Sequence, residues 1–378
     1  GLDTRGFVSG YRGSPLGALD QALWEAGERL TQAGVRFVPA VNEELGATQV
    51  LGTQRVESDP GRTCDGVFAL WYGKGPGVDR AGDALKHGNA YGSSPHGGVL
   101  VVAGDDHGWV PSSMPHQSDG LFQAFHLPVL QPDSVAELLE FGLWGWALSR
   151  YSGNWVALAA LSEVVESAAT VDLDTLATRV AAWQGADAVQ AATGHQPPAD
   201  GLHYRWPDLP SLAIEERVHA KLAAVAAFAR VNPIDREVIV SPQATVGIVT
   251  CGKAHRDLLE VLRRLAVSPE MLAAAGVRLY KVGLAWPVEP TRLRAFAQGL
   301  REILVIEEKA PVVETQLRDL LYDAPADARP AVLGKRGADG APLISALGEL
   351  RPSRLIESVA AWLVRHFPAH FADRLPRV

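Results

Sequence analysis

Phe37-Val-Pro-Ala-Val-Asn-Glu-Glu-Leu-Gly-Ala-Thr48 is the stretch whose reading decides the fold. An apolar strand, Val35 to Ala40, runs out at Asn42, a good helix N-cap, and Glu43 and Glu44 then open a helix reaching about Glu57. A carboxylate at a strand-to-helix junction lies at the rim of a sheet, where open α/β folds hold their ligands. The same two acids also complement the helix dipole, an effect of a few tenths of a kcal/mol. Position alone leaves both roles open, and leaves both glutamates as candidates.

Working outward, Arg5–Gly10 reads as a strand ending in Gly10-Tyr-Arg-Gly-Ser-Pro-Leu-Gly17. Ser14 is placed as an N-cap and Pro15 in the first turn of a helix running to about Leu30. On the other side, Gly66–Trp71 reads as a buried strand and Tyr72-Gly-Lys-Gly-Pro-Gly-Val-Asp79 as a glycine-rich turn. Gly98–Ala103 is a strand ending in Gly104-Asp-Asp-His-Gly108, and a polar loop follows to Asp119. A helix from Asp133 to about Tyr151 and a strand in Asn154–Leu161 continue the alternation. Strands alternating with helices predict an α/β fold, a doubly wound and mostly parallel sheet covered on both faces. Gly194–Gly201 reads as linker, and Ser211 caps a helix that ends before Pro233. A smaller α/β unit follows, with strands at Val246–Thr250, Val277–Val282 and Ile303–Ile306 and a closing helix at Arg354–Phe367. The expected division is a first domain over 1–200, a linker and helix over 201–240, and a second domain over 241–378.

Hydrophobic residues make up 47% of the 378 and charged ones 21%, the composition of an ordinary globular protein. A net charge of −8 argues against nucleic acid as a partner, because phosphate binding needs a basic surface. The apolar stretches Phe141–Ser149 and Gly153–Ser162 are too short to cross a bilayer, and no signal-peptide pattern opens the chain. Cys64 and Cys251 fit structural thiols in a reducing cytoplasm. Two cysteines are fewer than the four thiolates an iron–sulfur cluster normally takes, so any electron carrier lies elsewhere. Residue 1 is glycine and a strand begins almost at once, so a piece of a longer chain is expected.

Several familiar motifs fail. No Gly-x-Gly-x-x-Gly follows a strand, and Gly73-Lys74-Gly75 lacks the Walker spacing. Gly92-Ser-Ser-Pro-His96 misses the nucleophile elbow, and Pro368 spoils His366 and His370 as a helical ligand pair. Asp105-Asp106-His107 reads as a strand-end hydrogen-bond cluster in preference to a metal site. Four strand-end loops survive: Tyr11–Pro15, Asn42–Glu44, Gly73–Gly77 and Asp105–Gln117. Their side chains suit a small anionic or carbonyl substrate beside one ionisable carboxylate.

These loops carry a resemblance. Gly10-Tyr-Arg-Gly-Ser-Pro, Asn42-Glu-Glu-Leu-Gly-Ala, Gly75-Pro-Gly77 and Ser112-Ser113 with Gln117 resemble, in order, motifs of the indolepyruvate ferredoxin oxidoreductase family. Gly334-Lys-Arg-Gly-Ala-Asp-Gly-Ala-Pro-Leu with Gly348-Glu-Leu-Arg-Pro352 is similar to a segment that follows that family's second domain. The resemblance implies a pyrimidine-type thiamine diphosphate domain followed by a transketolase-C-terminal-like domain. It places the cofactor-activating acid on Glu43, with Gly75, Pro76 and Gly77 beside the cofactor. Tyr11, Arg12, Ser14, Asp106, His107 and Gln117 are then substrate-side residues. The implied reaction is oxidative decarboxylation of an aryl 2-oxoacid to an acyl-CoA, with electrons passing to ferredoxin.

Two departures bear on this. An arginine that follows the Ser-Ser-x-x-x-Gln loop in archaeal relatives has no counterpart, since Ser118-Asp119-Gly120 stand there. The Gly-Asp-Gly mark of the diphosphate-binding domain, which holds magnesium, is absent, so this chain holds half of a thiamine site and none of the clusters. The diphosphate domain, the iron–sulfur clusters and the CoA site are expected on other domains or partners, in a homodimer without membrane attachment. Two other readings stay open: a beta-type chain of a 2-oxoacid dehydrogenase, and a non-catalytic domain pair for assembly or metabolite binding.

Overall fold

The computed structural model describes residues 1–110, 112–205, 208 and 210–372. The chain divides into two units, Gly1–Pro233 and Ile234–Val378.

In the first unit the strands are β1 (Thr4–Gly10), β2 (Val35–Phe37), β3 (Gly66–Lys74), β4 (Val99–Gly104), β5 (Val129–Leu130) and β6 (Trp155–Ala159). They lie side by side in the order β5-β6-β4-β3-β1-β2, every pair parallel. β4 and β6 are buried at every position, as expected of central strands covered on both faces. The helices are α1 (Gly17–Glu25), α2 (Gly27–Gln32), α3 (Glu43–Thr53), α4 (Gly75–Arg80), α5 (Gly82–Tyr91), α6 (Asp119–Ala124), α7 (Val135–Ser152), α8 (Ser162–Val165), α9 (Leu173–Ala181), α10 (Ala186–Thr193) and α11 (Leu212–Val231). From β1 the chain moves outward to β2 and then returns to β3 on the other side of β1. The point where the order reverses therefore lies between β1 and β3, and the loops that leave their C-terminal ends border a crevice.

Several sequence expectations shift. The helix after Gly10 starts at Gly17 with Leu16 at the N-cap, so Ser14 does not cap it and Pro15 lies outside its first turn. That helix divides at Ala26 into α1 and α2. The glycine-rich segment after Tyr72 is no free turn. β3 runs through Lys74 and α4 begins at Gly75, with Pro76 in its first turn. Residues 201–233, read as linker and helix, fall inside the first unit. α11 buries Val225 and Phe228 there, the latter edge to face with Trp144, and its fully buried Lys221 donates to the carbonyl oxygens of Asn89 (2.7 Å) and Ala90 (3.3 Å), capping the end of α5.

The second unit contains β7 (Arg236–Ile239), β8 (Val246–Cys251), β9 (Val277–Val282), β10 (Leu284–Trp286), β11 (Glu302–Ile306) and β12 (Ala331–Leu333). Its sheet has the order β12-β11-β8-β9-β7, with β7 antiparallel to β9 and the rest parallel. Helices α12 (Lys253–Arg264), α13 (Pro269–Ala275), α14 (Pro290–Ala297), α15 (Val313–Tyr322), α16 (Pro352–His366) and α17 (Pro368–Phe371) complete it. Leu258, Leu262, Val359 and Leu363, from α12 and α16, pack on the β8 and β9 side chains in one core. No described helix is long and apolar enough to cross a membrane.

Candidate functional site

The site is built from the C-terminal ends of β1, β3 and β4 and the start of α3. Asn42 is the N-cap foreseen from sequence: its side-chain oxygen accepts the Leu45 N–H at 2.9 Å. Asn42→Ala is expected to lower the stability of the first unit by about 1 kcal/mol, measured by denaturant unfolding. The preceding segment is anchored to the sheet, since the Ala40 N–H donates to the Gly10 carbonyl at 2.9 Å. The Tyr11 N–H in turn donates to the Tyr72 carbonyl at 3.1 Å, tying the first loop to β3.

The helix then separates the two glutamates. Glu43, Gly46, Ala47 and Val50 are the buried face of α3, an i, i+3, i+4, i+7 stripe, whereas Glu44 is exposed. Glu43 is 7% exposed, and its carbonyl accepts the indole N–H of buried Trp71 at 2.9 Å. Its carboxylate lies against α4. A Cβ on Gly77 would sit 2.6 Å from Glu43 Cγ and 2.9 Å from Oε1, so only glycine permits this approach. The Arg80 guanidinium stands 3.9 Å from Glu43 Oε2 and is 57% exposed, too loose and too wet to neutralise it.

Beside this pair lies a second cluster. Asp105, at the end of β4, accepts the Ser118 N–H and hydroxyl, both at 2.8 Å, and contacts His116 Nδ1 at 3.1 Å. His116 Nε2 reaches Asp79 on α4 at 3.1 Å. A Cβ on Gly75 would lie 2.2 Å from His116 Nδ1, so the start of α4 is closed down on the imidazole. The hydrogen bond that His116 donates to Asp105, aided by Asp79, raises the His116 pKa against the opposing effect of burial. Asp119 is fully buried, and burial together with the Asp105 charge raises its pKa.

The His116 bridge has a pH consequence. Because the folded pKa lies above the ordinary value of 6.5, its stabilisation is complete below that pH and is lost as pH rises through the folded value. The thermal midpoint of the first unit is expected to fall over this window. In His116→Gln this contribution should be lost, and the fall over the same window should be smaller than in wild type.

The residues expected from sequence fall into two groups. Glu43, Gly75, Pro76 and Gly77 converge at the α3–α4 contact, and Tyr11, Arg12 and Ser14 are exposed on the loop after β1. Asp106 and His107 are each 2% exposed. Asp106 works within its own loop, accepting the Val110 and Ser112 N–H groups at 2.9 Å each. Burial opposes its ionisation, yet these bonds leave its pKa lowered. Gln117 is half-buried and hydrogen-bonds Asp119. Sequence reasoning missed His116 and Asp79 as parts of the site; Trp71, which it weighed as pocket lining against core, is buried beside Glu43. The Asn42 cap and the two helix-start glutamates were legible, but nothing in the spacing links His116 to partners 11 and 37 residues away. Among the described residues no group of His, Cys, Asp and Glu is arranged to hold a metal ion.

Comparison with known proteins extends this geometry. Residues 235–351 match the indolepyruvate ferredoxin oxidoreductase middle domain. The chain is 24% identical, over 96% of its length, to the indolepyruvate oxidoreductase subunit IorA of Thermococcus kodakarensis, of which it covers 50%. The resemblance is to the indolepyruvate ferredoxin oxidoreductase family. IorA of Methanothermobacter thermautotrophicus gives 23% identity over 82% of the chain and 45% of that protein. The chain thus spans about half the length of the curated relatives it matches. Among solved structures, the 2-oxoglutarate:ferredoxin oxidoreductase of Magnetococcus marinus aligns with a TM-score of 0.60 at 18% identity, over 94% of this chain and 62% of that one. A split-gene transketolase, an inactive beta4 tetramer, aligns with a TM-score of 0.51 at 14% identity, over 98% of this chain and 92% of that one. Those two likenesses concern the fold, a mostly parallel α/β domain followed by a smaller transketolase-C-terminal-like one. The match also corrects one reading: the segment from Gly334 to Arg351 lies within the family's middle domain instead of after it.

Proposed function

We propose that the first unit supplies the pyrimidine side of a thiamine diphosphate site in an indolepyruvate-type (aryl 2-oxoacid):ferredoxin oxidoreductase, with Glu43 as its acid. The observation that carries this is the buried Glu43 carboxylate at a sheet edge with the Gly77 backbone drawn against it. A cradle that a Cβ would fill, beside one carboxylate whose nearby cation, Arg80 at 3.9 Å, is solvent-exposed, fits the edge of a neutral nitrogenous ring. When bound, the cofactor supplies the electron sink needed to decarboxylate a 2-oxoacid. Glu43 would hold a proton at the ring nitrogen it faces, and Gly75, Pro76 and Gly77 would shape the ring's seat. Tyr11, Arg12 and Ser14 sit on the exposed loop where a substrate carboxylate or carbonyl would arrive, with Asp106, His107 and Gln117 supporting the neighbouring loop.

The apolar rim supports a half-site. Val41 (78% exposed), Trp109, Val110 and Met114 lie on the loops of this sheet edge and Leu45 in the first turn of α3, where a solvent-facing surface would be polar. A diphosphate-binding domain, with its magnesium, is the proposed cover. The clusters, the CoA site and ferredoxin docking belong, on this reading, to other domains or partners of a cytoplasmic, dimeric enzyme. The middle-domain match favours ferredoxin over the lipoamide acceptor of a dehydrogenase beta-type chain.

The test is turnover of indole-3-pyruvate. The complete enzyme should form the acyl-CoA with ferredoxin as acceptor, whereas this chain alone should form none. Turnover with lipoamide and not ferredoxin, or turnover by the isolated chain, overturns the proposal.

A further inference from the structure

A second concave surface lies at the opposite edge of the first sheet. Leu143, Trp146, Ala147 and Arg150 recur at i, i+3, i+4 and i+7 along α7 and form one wall of a groove of about 380 Å³. Phe68 of β3 forms its floor and Trp183, just past α9, its far wall. The Phe68 and Trp146 rings meet edge to face with centroids 5.7 Å apart, and the Trp146 indole N–H is fixed by the Ala69 carbonyl at 2.9 Å. Phe68 and Lys74 are six residues apart on β3, which puts the groove roughly 20 Å from the Glu43 edge.

Arg150 is the one charged side chain lining the groove, and it is open to solvent and so to a ligand. Its Nε donates to the Gly97 carbonyl at 2.7 Å, which fixes the plane of the guanidinium. Among the described residues no carboxylate pairs with it. Desolvation by the groove wall lowers its pKa, as expected of a cation without a counter-ion. The Trp144 indole N–H, in the same wall, also has no hydrogen-bond partner among the described residues. A fixed guanidinium fork takes a carboxylate through two parallel hydrogen bonds, and flat aromatic walls take a ring by offset or edge-on stacking. The volume accommodates one ring system with a short acidic arm, and a single cation does not suit a polyphosphate.

We propose that this groove is a binding site for a small aromatic monocarboxylate, with the carboxylate on Arg150 and the ring between Trp146, Phe68 and Trp183. The site is separate from the Glu43 edge and does not depend on the reaction proposed there.

Indole-3-acetate is the probe, read by isothermal titration calorimetry on the protein as it stands. A saturable one-site isotherm is expected. Indole, without the carboxylate, and Arg150→Gln should each bind roughly tenfold more weakly, the loss of one charged hydrogen-bond pair. Trp183→Ala, a change at a 41% exposed position, should weaken binding without changing the far-UV circular dichroism, and it serves where Arg150→Gln does not fold. Glu43→Gln should bind the probe as the wild type does. The proposal is overturned by the absence of saturable binding heat up to millimolar probe, or by unchanged affinity in Arg150→Gln or Trp183→Ala. Loss of binding in Glu43→Gln overturns it too, as does self-association of the protein that Trp183→Ala abolishes, which would make the groove a protein interface.

Discussion

Glu43→Gln in the complete enzyme is expected to lower 2-oxoacid turnover by about 10²–10⁴-fold, the usual worth of one positioned acid. The change keeps the shape of the side chain, so the tight approach of Gly77 and the Trp71 hydrogen bond to the Glu43 carbonyl are retained. Folding should therefore be preserved, and the fall should appear in turnover with little change in the thermal midpoint. Glu44→Gln is the matched control. That residue is exposed on the other face of α3, and its substitution should leave turnover within about twofold of wild type.

The second large effect is expected far from this chemistry, in the second unit. Lys253 is buried with its ammonium 3.0 Å from Asp257, 3.1 Å from Glu308 and 3.2 Å from Glu349. It also donates to the Leu350 carbonyl, while the Leu350 N–H donates to Glu308 at 3.0 Å. One buried ion pair thus holds both backbone groups of a single residue. These carboxylates keep Lys253 protonated, its pKa raised despite burial. Lys253→Met removes the cation between Asp257 and Glu308, while Glu349 keeps Arg351 at 2.8 Å, and breaking such a buried pair costs about 3–5 kcal/mol. Urea unfolding of the second unit should show this loss. Asp257, which burial already pushes up to about 6, gives the sign of the pH dependence. Its folded pKa exceeds the ordinary 3.8, so the folded state binds the extra proton and the variant should regain stability as pH falls through 6 toward 4. An unfolding curve like the wild type's would show that the cluster contributes nothing net.

What the chain discloses before folding follows from the range of each interaction. The alternation of strands and helices was legible because it depends on local pattern, as was the Asn42 cap. Ser14 shows the limit: a serine before a proline satisfies the cap pattern, but the helix starts at Gly17. α11 was read as connector because the flanking prolines dominate, whereas Lys221, a residue rarely buried, fixes it to α5. Position alone left Glu43 and Glu44 open and the resemblance favoured Glu43, whereas its burial on α3 and its contact with Gly77, 34 residues later, exist only in the fold. His116 is the clearest omission. Its meaning comes wholly from Asp105 and Asp79, which only the sheet topology brings to it.

The claim that Glu43 is the acid of a thiamine site is tested most directly by proton exchange at the thiazolium carbon of thiamine diphosphate bound to the complete enzyme. The exchange rate is measured for wild type, Glu43→Gln and Glu44→Gln. Slowing by about 10²-fold or more in Glu43→Gln alone is the predicted result. Wild-type exchange in Glu43→Gln would contradict it.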